Sequence, residues 1–491
     1  MKTRHFSSII KGGLLTIILL VVSSCAGDTG SVGPQGPQGP QGPQGPQGNT
    51  GEQGSLGLEG PSGENGVKGN MGSPGVKGDT GSSGEKGERG EVGGQGVIGP
   101  QGPIGLQGSK GIEAEVILSV DRSRPSGTVI TSIDTAGTVG HYSSITIGTD
   151  GFGLISYYDT TYANLKVAHC LNIECTVFES TVLDSEYVVG KDTSIIIGSD
   201  GLGIISYHDA TTFDLKVAHC SNIECSSAVI TTLDAIVNVG SFSSITVGVD
   251  GLALISYYDA TRRSLEVAHC FDIECTRATI STVDIMDDVG RYSSIVTGSD
   301  GLGLISYYDN TSNNLKIAHC LNIDCSRSDV NVIDSDYQTG EQTSITIGSD
   351  GFGLISYYHV GTGDTDNYYF VNDIKVAHCN NIDCSSVTKT TVDGLNSVGL
   401  SSSITVGEDG FGIISYYDST GFDLKVAHCS NLECSSSTIF VVDSLGIVGN
   451  HTSITIGTNG FPLISYHDET NGDLKVATCS NSFCSPYFRR R

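Results

Sequence analysis

The sequence is poor in positive charge: 26 Lys and Arg residues stand against 54 Asp and Glu residues, for a formal net charge of −28. Residues 1–26 carry only basic groups and residues 27–111 are nearly balanced, so the acidic excess lies after residue 111. This charge excludes nucleic acid and anionic membrane surfaces as partners of that region and favours cationic partners or divalent metal ions. The alternative is that the charge only keeps an exposed domain soluble.

The N-terminal segment lacks an apolar run long enough to span a bilayer. Its run Leu14–Val22 is shorter than the roughly 20 residues that a membrane-spanning helix needs. Basic residues at Lys2, Arg4 and Lys11 precede the run, and small residues follow it. This pattern predicts an export signal peptide over residues 1–24.

The signal peptide ends in Val22-Ser23-Ser24-Cys25. This segment resembles the lipobox of bacterial lipoproteins, in which the cysteine is lipidated and becomes the mature N-terminus. The resemblance implies lipidation at Cys25, a mature N-terminus at residues 25–26, and anchoring in a membrane. Because Ala26 rather than Asp follows the cysteine, it also implies sorting to the outer membrane or cell surface. An ordinary secretory peptide with an unrelated cysteine is the alternative.

Glycine occupies every third position from Gly27 to Gly111 without a miss. Only glycine fits at the axis where three polyproline-II chains meet, so this phase predicts a triple helix of roughly 250 Å over residues 27–111. A flexible linker, the alternative, has no reason to keep phase. The segment resembles the stalks of bacterial collagen-like surface proteins, which implies a homotrimer. Residues 112–127 are a predicted linker.

No stretch after residue 111 shows a helical period, and a 50-residue repeat begins instead. Its turn glycines are Gly151, Gly201, Gly251, Gly301, Gly351, Gly410 and Gly460. Each repeat contains several short strand patterns separated by turn residues, which predicts a seven-bladed β-propeller of four-stranded blades over residues 128–487, with a basic tail at 488–491. A β-solenoid is the alternative. The fold class is therefore all-β, a collagen stalk followed by a propeller.

In the first repeat the predicted strands are Ser144–Gly148, Leu154–Tyr158, Leu165–Cys170 and one that ends near Leu183-Asp184. An isolated fourth-strand pattern, Thr128–Asp134, precedes the first complete repeat. We expect it to complete the last blade and close the ring, because an open sheet would leave unpaired edges.

Fourteen cysteines follow Cys25, two in each repeat, and each pair flanks a four-residue loop between the third and fourth strands. Directly opposed residues of antiparallel strands lie within disulfide range, and an exported chain meets oxidising conditions. The expected disulfides are Cys170–Cys175, Cys220–Cys225, Cys270–Cys275, Cys320–Cys325, Cys379–Cys384, Cys429–Cys434 and Cys479–Cys484.

Metal binding is the rival interpretation, because histidine precedes the first cysteine in six repeats: His169, His219, His269, His319, His378 and His428. Each blade offers only three such ligands, and neighbouring strand residues point to opposite faces. We therefore expect no metal or cofactor, and histidines that pack between blades with hydrogen-bonded rings. Calcium stays open for the Asp468–Asp473 loop, where turn capping by Asp468 is the competing role.

Departures from the repeat are the candidate ligand sites. The fifth repeat carries nine extra residues within 359–373 and has His359 where the other copies have Asp. Extra length with aromatic residues in a surface loop indicates a binding site, and the alternative is a tolerated insertion. The candidate residues are His359, Asp364, Asp366, Tyr368, Tyr369 and Phe370. The third repeat is a second candidate patch, with Arg262, Arg263 and Glu266.

No nucleophile, base and orienting residue stand together, because the same residues recur in every repeat. The sequence therefore predicts a lipid-anchored trimer that displays propeller heads for adhesion to a protein or glycan ligand, and not an enzyme. The alternatives are a surface enzyme acting on glycans, as a glycosidase or lyase, and a purely structural coat or matrix component.

Overall fold

A computed structural model describes residues 127–236, 238–361, 372–394 and 397–485. The signal peptide, Cys25, the Gly-X-Y segment and the basic tail lie outside these residues, as do Asp364, Asp366, Tyr368, Tyr369 and Phe370. The chain divides into two units, Met1–Val120 and Asp121–Arg491, and every described residue belongs to the second. No helix within the described ranges is long and apolar enough to cross a membrane.

The described residues form seven four-stranded antiparallel sheets, the blades of a propeller. The first half of the strands comprises β1 (Val129–Asp134), β2 (Val139–Ile147), β3 (Gly153–Asp159), β4 (Asn164–Cys170), β5 (Phe178–Asp184), β6 (Val189–Ile197), β7 (Gly203–Asp209), β8 (Asp214–Cys220), β9 (Ala228–Asp234), β10 (Ser241–Val247), β11 (Ala253–Asp259), β12 (Ser264–Cys270), β13 (Ala278–Asp284) and β14 (Val289–Thr297). The second half comprises β15 (Gly303–Asp309), β16 (Asn314–Cys320), β17 (Ser328–Asp334), β18 (Gln338–Ile347), β19 (Gly353–Val360), β20 (Asn372–Cys379), β21 (Val387–Asp393), β22 (Val398–Val406), β23 (Gly412–Asp418), β24 (Asp423–Cys429), β25 (Ser437–Asp443), β26 (Val448–Ile456), β27 (Pro462–Asp468) and β28 (Asp473–Thr478).

The ring closes through its first strand, as the sequence predicted. Blades 1 to 6 each use four consecutive strands, from β2–β5 to β22–β25, whereas blade 7 has the order β1-β28-β27-β26. Strand β1 pairs antiparallel with β28, so that Val129 lies opposite Thr478. Two ends of the domain that are distant in sequence therefore share one sheet, and β28 is paired on both sides instead of ending the sheet.

The inner strand of each blade is longer than predicted. In blade 1 it begins at Val139 rather than Ser144, and its pairing with β3 shifts register twice, after Val139 and after His141. These irregular residues do not alternate between apolar and polar, so strand periodicity did not reveal them. The predicted second, third and fourth strands agree with β3, β4 and β5 to within one residue at the ends that were specified.

The hydrophobic core lies between blades. Strand β3 is buried along its whole length, because both faces of a blade pack against neighbours. At the junction of blades 7 and 1, Ile155 and Tyr157 share one apolar cluster with Leu463 and Val476. Burial on both faces explains why these strands are continuous apolar runs.

A polar network joins each pair of neighbouring blades within this core. In blade 2 the Tyr207 hydroxyl donates to Asp184 Oδ2 of blade 1 at 2.7 Å. Lys216 Nζ lies 2.9 Å from Asp209 and 3.4 Å from Asp184. Burial opposes ionisation of Asp209, yet hydrogen bonds from Lys216 and the amides of the following turn lower the pKa of Asp209 below its usual value. Asp209 caps its turn, the role considered for the equivalent Asp468, whereas the link from tyrosine to the preceding blade was not predicted.

All seven expected disulfides are formed. The predicted opposition of the two cysteines across the ladder is wrong, because Cys170 pairs with Phe178 and Cys175 lies inside the loop. Cys175 has a left-handed backbone (φ 51°), and its amide donates to the Asn172 carbonyl at 3.0 Å. This tight turn brings the two Cα atoms to 4.8 Å, inside disulfide range.

The six histidines that precede a cysteine lie close to the hairpin aspartates. His169 Nε2, for example, lies 2.7 Å from Asp150 Oδ2. In blade 7 the position is Thr478, whose hydroxyl donates to the Glu174 carbonyl of blade 1 at 3.1 Å, so the position faces the neighbouring blade. The described residues contain no group of three or more His, Cys, Asp or Glu side chains arranged to hold a metal ion.

Candidate functional site

Two residues near the start of each inner strand differ in every repeat, although the residues around them are kept. They follow Val-Gly or Thr-Gly and precede Ser-Ser-Ile or Thr-Ser-Ile. We call them the axial pairs, and they are His141-Tyr142, Lys191-Asp192, Ser241-Phe242, Arg291-Tyr292, Glu341-Gln342, Leu400-Ser401 and Asn450-His451. The first strands of adjacent blades contact one another around the whole ring, so these pairs line the propeller axis.

An unusual backbone holds the axial pairs. The glycine before each pair has a positive φ, and at Gly190 (φ +98°) an added Cβ would lie 2.7 Å from the Cα of Leu165 in the preceding blade. The second member of each pair also has a positive φ, although none is glycine: Tyr142, Asp192, Phe242, Tyr292, Gln342, Ser401 and His451. A bulge of this kind redirects side chains, and strained non-glycine residues cluster at functional sites.

Aromatic side chains dominate the ring formed by the second members. His451 and Tyr142 come from neighbouring blades, with ring centroids 4.8 Å apart. Phe242 and Tyr292 form a second pair across a blade junction, at 4.5 Å. We call these four rings together with Asp192 the axial collar. On the other side, small or amide residues complete the circle, and Gln342 Oε1 accepts a hydrogen bond from the Ser401 amide.

Asp192 places a carboxyl group between the two aromatic pairs. Its Oδ2 accepts a hydrogen bond from the Phe242 amide at 2.9 Å. Burial raises the pKa of Asp192 to about 6, although the Phe242 amide and Lys191 act in the opposite direction. Burial and then the nearby Asp192 charge raise the pKa of Tyr142 to about 12. The same carboxylate contributes to the raised pKa of Tyr292, after burial and Glu341.

Two further histidines, His141 and His467, lie beside His451 of the collar. The His141 ring lies 4.1 Å from that of His467 and 5.0 Å from that of His451. Burial, followed by proximity to one another, lowers the pKa of His141 to about 4 and that of His451 to about 3. His467 Nδ1 donates to the Val139 carbonyl at 2.7 Å. His141 and His451 are therefore neutral aromatic rings at neutral pH.

The two cations of the axial pairs are directed to tyrosines of the preceding blade. Lys191 Nζ lies 6.0 Å from the Tyr158 ring centroid, and the Arg291 guanidinium lies 5.3 Å from that of Tyr258. Arg291 also donates to Asp288 Oδ2 at 3.0 Å. Both cations therefore have partners other than Asp192.

His359, the one described member of the predicted insertion site, lies at the end of β19 and is 9% exposed. It pairs with Thr339 of β18 and Asp373 of β20 in the ladder. Burial lowers the pKa of His359. The other five candidates of this loop lie outside the described residues, so a binding role for the loop stays a prediction.

The predicted patch in the third repeat divides into buried and exposed groups. Glu266 is 1% exposed and accepts a hydrogen bond from the Ser264 hydroxyl at 2.7 Å. Arg262 lies 3.8 Å from both Glu266 and Asp259. Arg262 therefore offsets a buried negative charge within its own blade.

The loop considered for calcium is capped by its own groups. Asp468 Oδ1 accepts the Asn471 amide at 3.0 Å, and Oδ2 accepts the Asn471 side-chain amide at 2.8 Å. Lys475 lies 2.8 Å from the same Oδ2. Protein donors thus occupy both oxygens of the Asp468 carboxylate, as the capping interpretation expects.

Residues 25–83 and 57–116 match the family model of the collagen triple helix repeat, in agreement with the Gly-X-Y phase. No curated protein matches the chain in sequence. The chain thus combines collagen triple helix repeats with a seven-bladed β-propeller of four-stranded blades.

Solved structures of low sequence identity are similar to the chain. Hydrazine synthase from Kuenenia stuttgartiensis is 10% identical over 70% of this chain and 97% of that chain, with a TM-score of 0.46. An α-L-arabinanase from Penicillium chrysogenum complexed with arabinobiose is 9% identical over 72% and 97%, with a TM-score of 0.44. The NanB sialidase from Streptococcus pneumoniae is 11% identical over 76% and 73%, with a TM-score of 0.42. These likenesses concern the fold alone.

Proposed function

We propose that this chain is a lipid-anchored, trimeric surface protein whose collagen stalk displays propeller heads that bind a ligand at the axial pairs. The observation that carries the proposal is the contrast between repeated and varied positions. The blades repeat their core, disulfides and junction networks, whereas the axial pairs differ in all seven blades. A ring of different side chains on a symmetric scaffold provides the asymmetry that recognition of one ligand needs.

The trimer and the anchor support the same role. Three heads on one stalk would bind a surface with avidity, so that each single contact can be weak. The match to collagen repeats supports assembly into three chains, and the Val22–Cys25 segment supports anchoring through Cys25.

The test is a binding screen of the full chain against matrix proteins and glycans, followed by two variants. Phe242→Ser with Tyr292→Ser changes the axial collar, and serine already occupies the equivalent backbone position at Ser401. We expect this variant to lose at least about tenfold in affinity, because hot-spot aromatic residues supply about 2 kcal/mol or more each. The second variant lacks the nine residues 362–370, which gives the loop the length that it has in the other blades, and should bind normally. If only the second variant loses binding, the binding site lies in the insertion and not at the axial pairs.

A second candidate function is a glycan-acting enzyme, and one observation favours it. The pKa of Asp192, at about 6, lies in the range where a carboxyl group can transfer protons near neutral pH. Release of reducing ends from a polysaccharide panel, abolished by Asp192→Asn, would establish this function in place of simple binding.

A further inference from the structure

We propose that the axial collar binds a substituted ammonium group, with the Asp192 carboxylate as its counter-ion and the rings of Tyr142, Phe242, Tyr292 and His451 as its walls. This inference rests on the proposed function, because it specifies the ligand chemistry of the same site. Aromatic faces carry negative electrostatic potential and attract organic cations, and an adjacent carboxylate adds a full opposite charge.

The Asp192 carboxylate can form an ion pair with a cationic ligand. It makes no ion pair within the described ranges, since Lys191 points to Tyr158 and Arg291 is bound to Asp288. Its Oδ2 accepts only the Phe242 amide there, and its Oδ1 accepts no hydrogen bond from any described residue. An anionic ligand would meet this carboxylate directly, within a protein that already carries a formal net charge of −28.

The collar surrounds the carboxylate with rings rather than with further metal ligands. Tyr142 of β2 and Phe242 of β10 flank Asp192, because these two inner strands contact its own strand β6 on either side. Phe242 of β10 supplies the amide and a ring that contacts the Tyr292 ring at a tilt of 50°. A divalent metal needs several oxygen or imidazole ligands, whereas an alkylammonium ion needs one carboxylate and apolar faces.

The pH dependence of binding follows from the groups that face the site. Lys191 lies on the same strand, and the Tyr142 and Tyr292 hydroxyls stay protonated between pH 5 and pH 8, since the pKa of each tyrosine is raised. His141 and His451 stay neutral there, with pKa values of about 4 and about 3. Asp192, with a pKa of about 6, does change charge in this window. Ammonium binding should therefore strengthen as the pH rises and Asp192 ionises.

Choline and its neutral isostere 3,3-dimethylbutan-1-ol test the inference on the full chain. The protein has no tryptophan and 20 tyrosines, so tyrosine fluorescence or calorimetry can follow binding. We expect choline to bind at least about tenfold more tightly than the isostere at pH 7.5, and about tenfold more tightly at pH 7.5 than at pH 5. Asp192→Asn should lose the preference for choline, whereas Asp329→Asn, at an exposed site on the outer strand β17, should keep it.

Equal affinity for choline and the isostere would overturn the inference, as would full choline binding by Asp192→Asn. Unchanged thermal unfolding of Asp192→Asn shows that the variant is folded. Tyr292→Ser is an independent variant that should also lose the preference for choline over the isostere. If choline fails to bind but Phe242→Ser with Tyr292→Ser still abolishes capture in the screen, the axial site stands and only its cation chemistry is wrong. If choline fails to bind and the variant with Phe242→Ser and Tyr292→Ser still captures its ligand in the screen, both proposals fail.

The same binding measurement distinguishes two sources of the ammonium group, a protein side chain and a lipid headgroup. Tighter binding of a trimethyl-lysine peptide than of phosphatidylcholine vesicles would assign it to a protein. The reverse order would assign it to a lipid headgroup, and the requirement for Asp192 should hold in both cases.

Discussion

Glu266 stands where the other six blades have lysine, and its surroundings show how a single charge reversal is accommodated. In blades 1, 2, 6 and 7 the lysine lies between a capping aspartate and the last aspartate of the preceding blade, as Lys475 does between Asp468 and Asp443. In blade 3 the carboxylate of Glu266 is buried instead, and burial raises its pKa. Hydrogen bonds from Ser264 and Thr282 and the charge of Arg262 act against that burial.

Glu266→Lys should stabilise the protein by roughly 1–2 kcal/mol, because it restores a cation between Asp234 and Asp259. Arg262→Ala should destabilise the natural chain, yet have little effect when Glu266 is already lysine. Chemical denaturation of the four proteins of this double-mutant cycle measures the coupling between Arg262 and Glu266.

The matched control is Lys316→Glu in blade 4, where Ser312 occupies the position of Arg262. That change leaves Asp284 and the new carboxylate without a cation, and it should lower the free energy of unfolding by roughly 3 kcal/mol. Equal stability of Glu266→Lys and the natural protein would show that Arg262 compensates fully.

At the scale of the structural element, each blade contains one disulfide-closed loop. In blade 3 the loop joins β12 to β13, and the sulfur atoms of Cys270 and Cys275 are buried in the apolar cluster shared with blade 2. The disulfide therefore constrains the outermost strand of the blade and also contributes to the core.

Replacing Cys270 and Cys275 together by alanine should lower the free energy of unfolding by about 2 kcal/mol, as expected for a six-residue ring. Hydrogen exchange should accelerate first in β12 and β13. Glu274→Ser, an exposed change in the same loop, should have an effect within about 0.5 kcal/mol. If the variant with alanine at both cysteine positions is as stable as the natural chain, the other contacts of the blade suffice to hold the loop.

At the scale of the whole molecule, β1 joins the last blade to the first. It pairs with β28 in blade 7, and the chain then continues directly into β2 of blade 1. Strand β9 occupies the same outermost position in blade 2, but its blade is built from four consecutive strands. The two strands are therefore a matched pair that differ in whether they close the ring.

Ile130→Pro with Thr131→Pro should lower the unfolding midpoint more than Ile230→Pro with Thr231→Pro. Two consecutive prolines remove at least one ladder hydrogen bond in either strand. Only in β1 does detachment also release blade 7 from blade 1. Equal midpoints in thermal unfolding of the two variants would show that ring closure contributes no stability beyond that of an ordinary outer strand.

Much of this architecture could be predicted because it repeats. The paired cysteines occur seven times, the Asp-Gly hairpins six times and the 50-residue spacing between turn glycines five times, so that single deviations did not obscure the strands, the blade count or the closing strand. Errors arose where the backbone departs from regular strand geometry, as at Cys175 and at the irregular start of β2. Local propensities describe extended strands well and bulges poorly.

The candidate site was missed for a related reason. The signal was present as two variable residues between Val-Gly or Thr-Gly and the Ser-Ile that follows in every repeat, but no single residue type recurs through the seven pairs. The extra length of the fifth repeat and the reversed charge in the third repeat indicated other candidates instead, namely the insertion at 359–373 and the residues Arg262 and Glu266. The structure assigns Arg262 and Glu266 to compensation within a blade.

The sequence alone determined the repeat unit, the number of blades, the cysteine partners and the collagen phase, because each depends on spacing along the chain. Only the tertiary structure decided which residues meet at the axis. Asp192 and Phe242 are 50 positions apart, yet the packing of blade 2 against blade 3 places their atoms 2.9 Å from each other. Such proximity is a property of blades arranged around a centre, and no local pattern in one repeat encodes it.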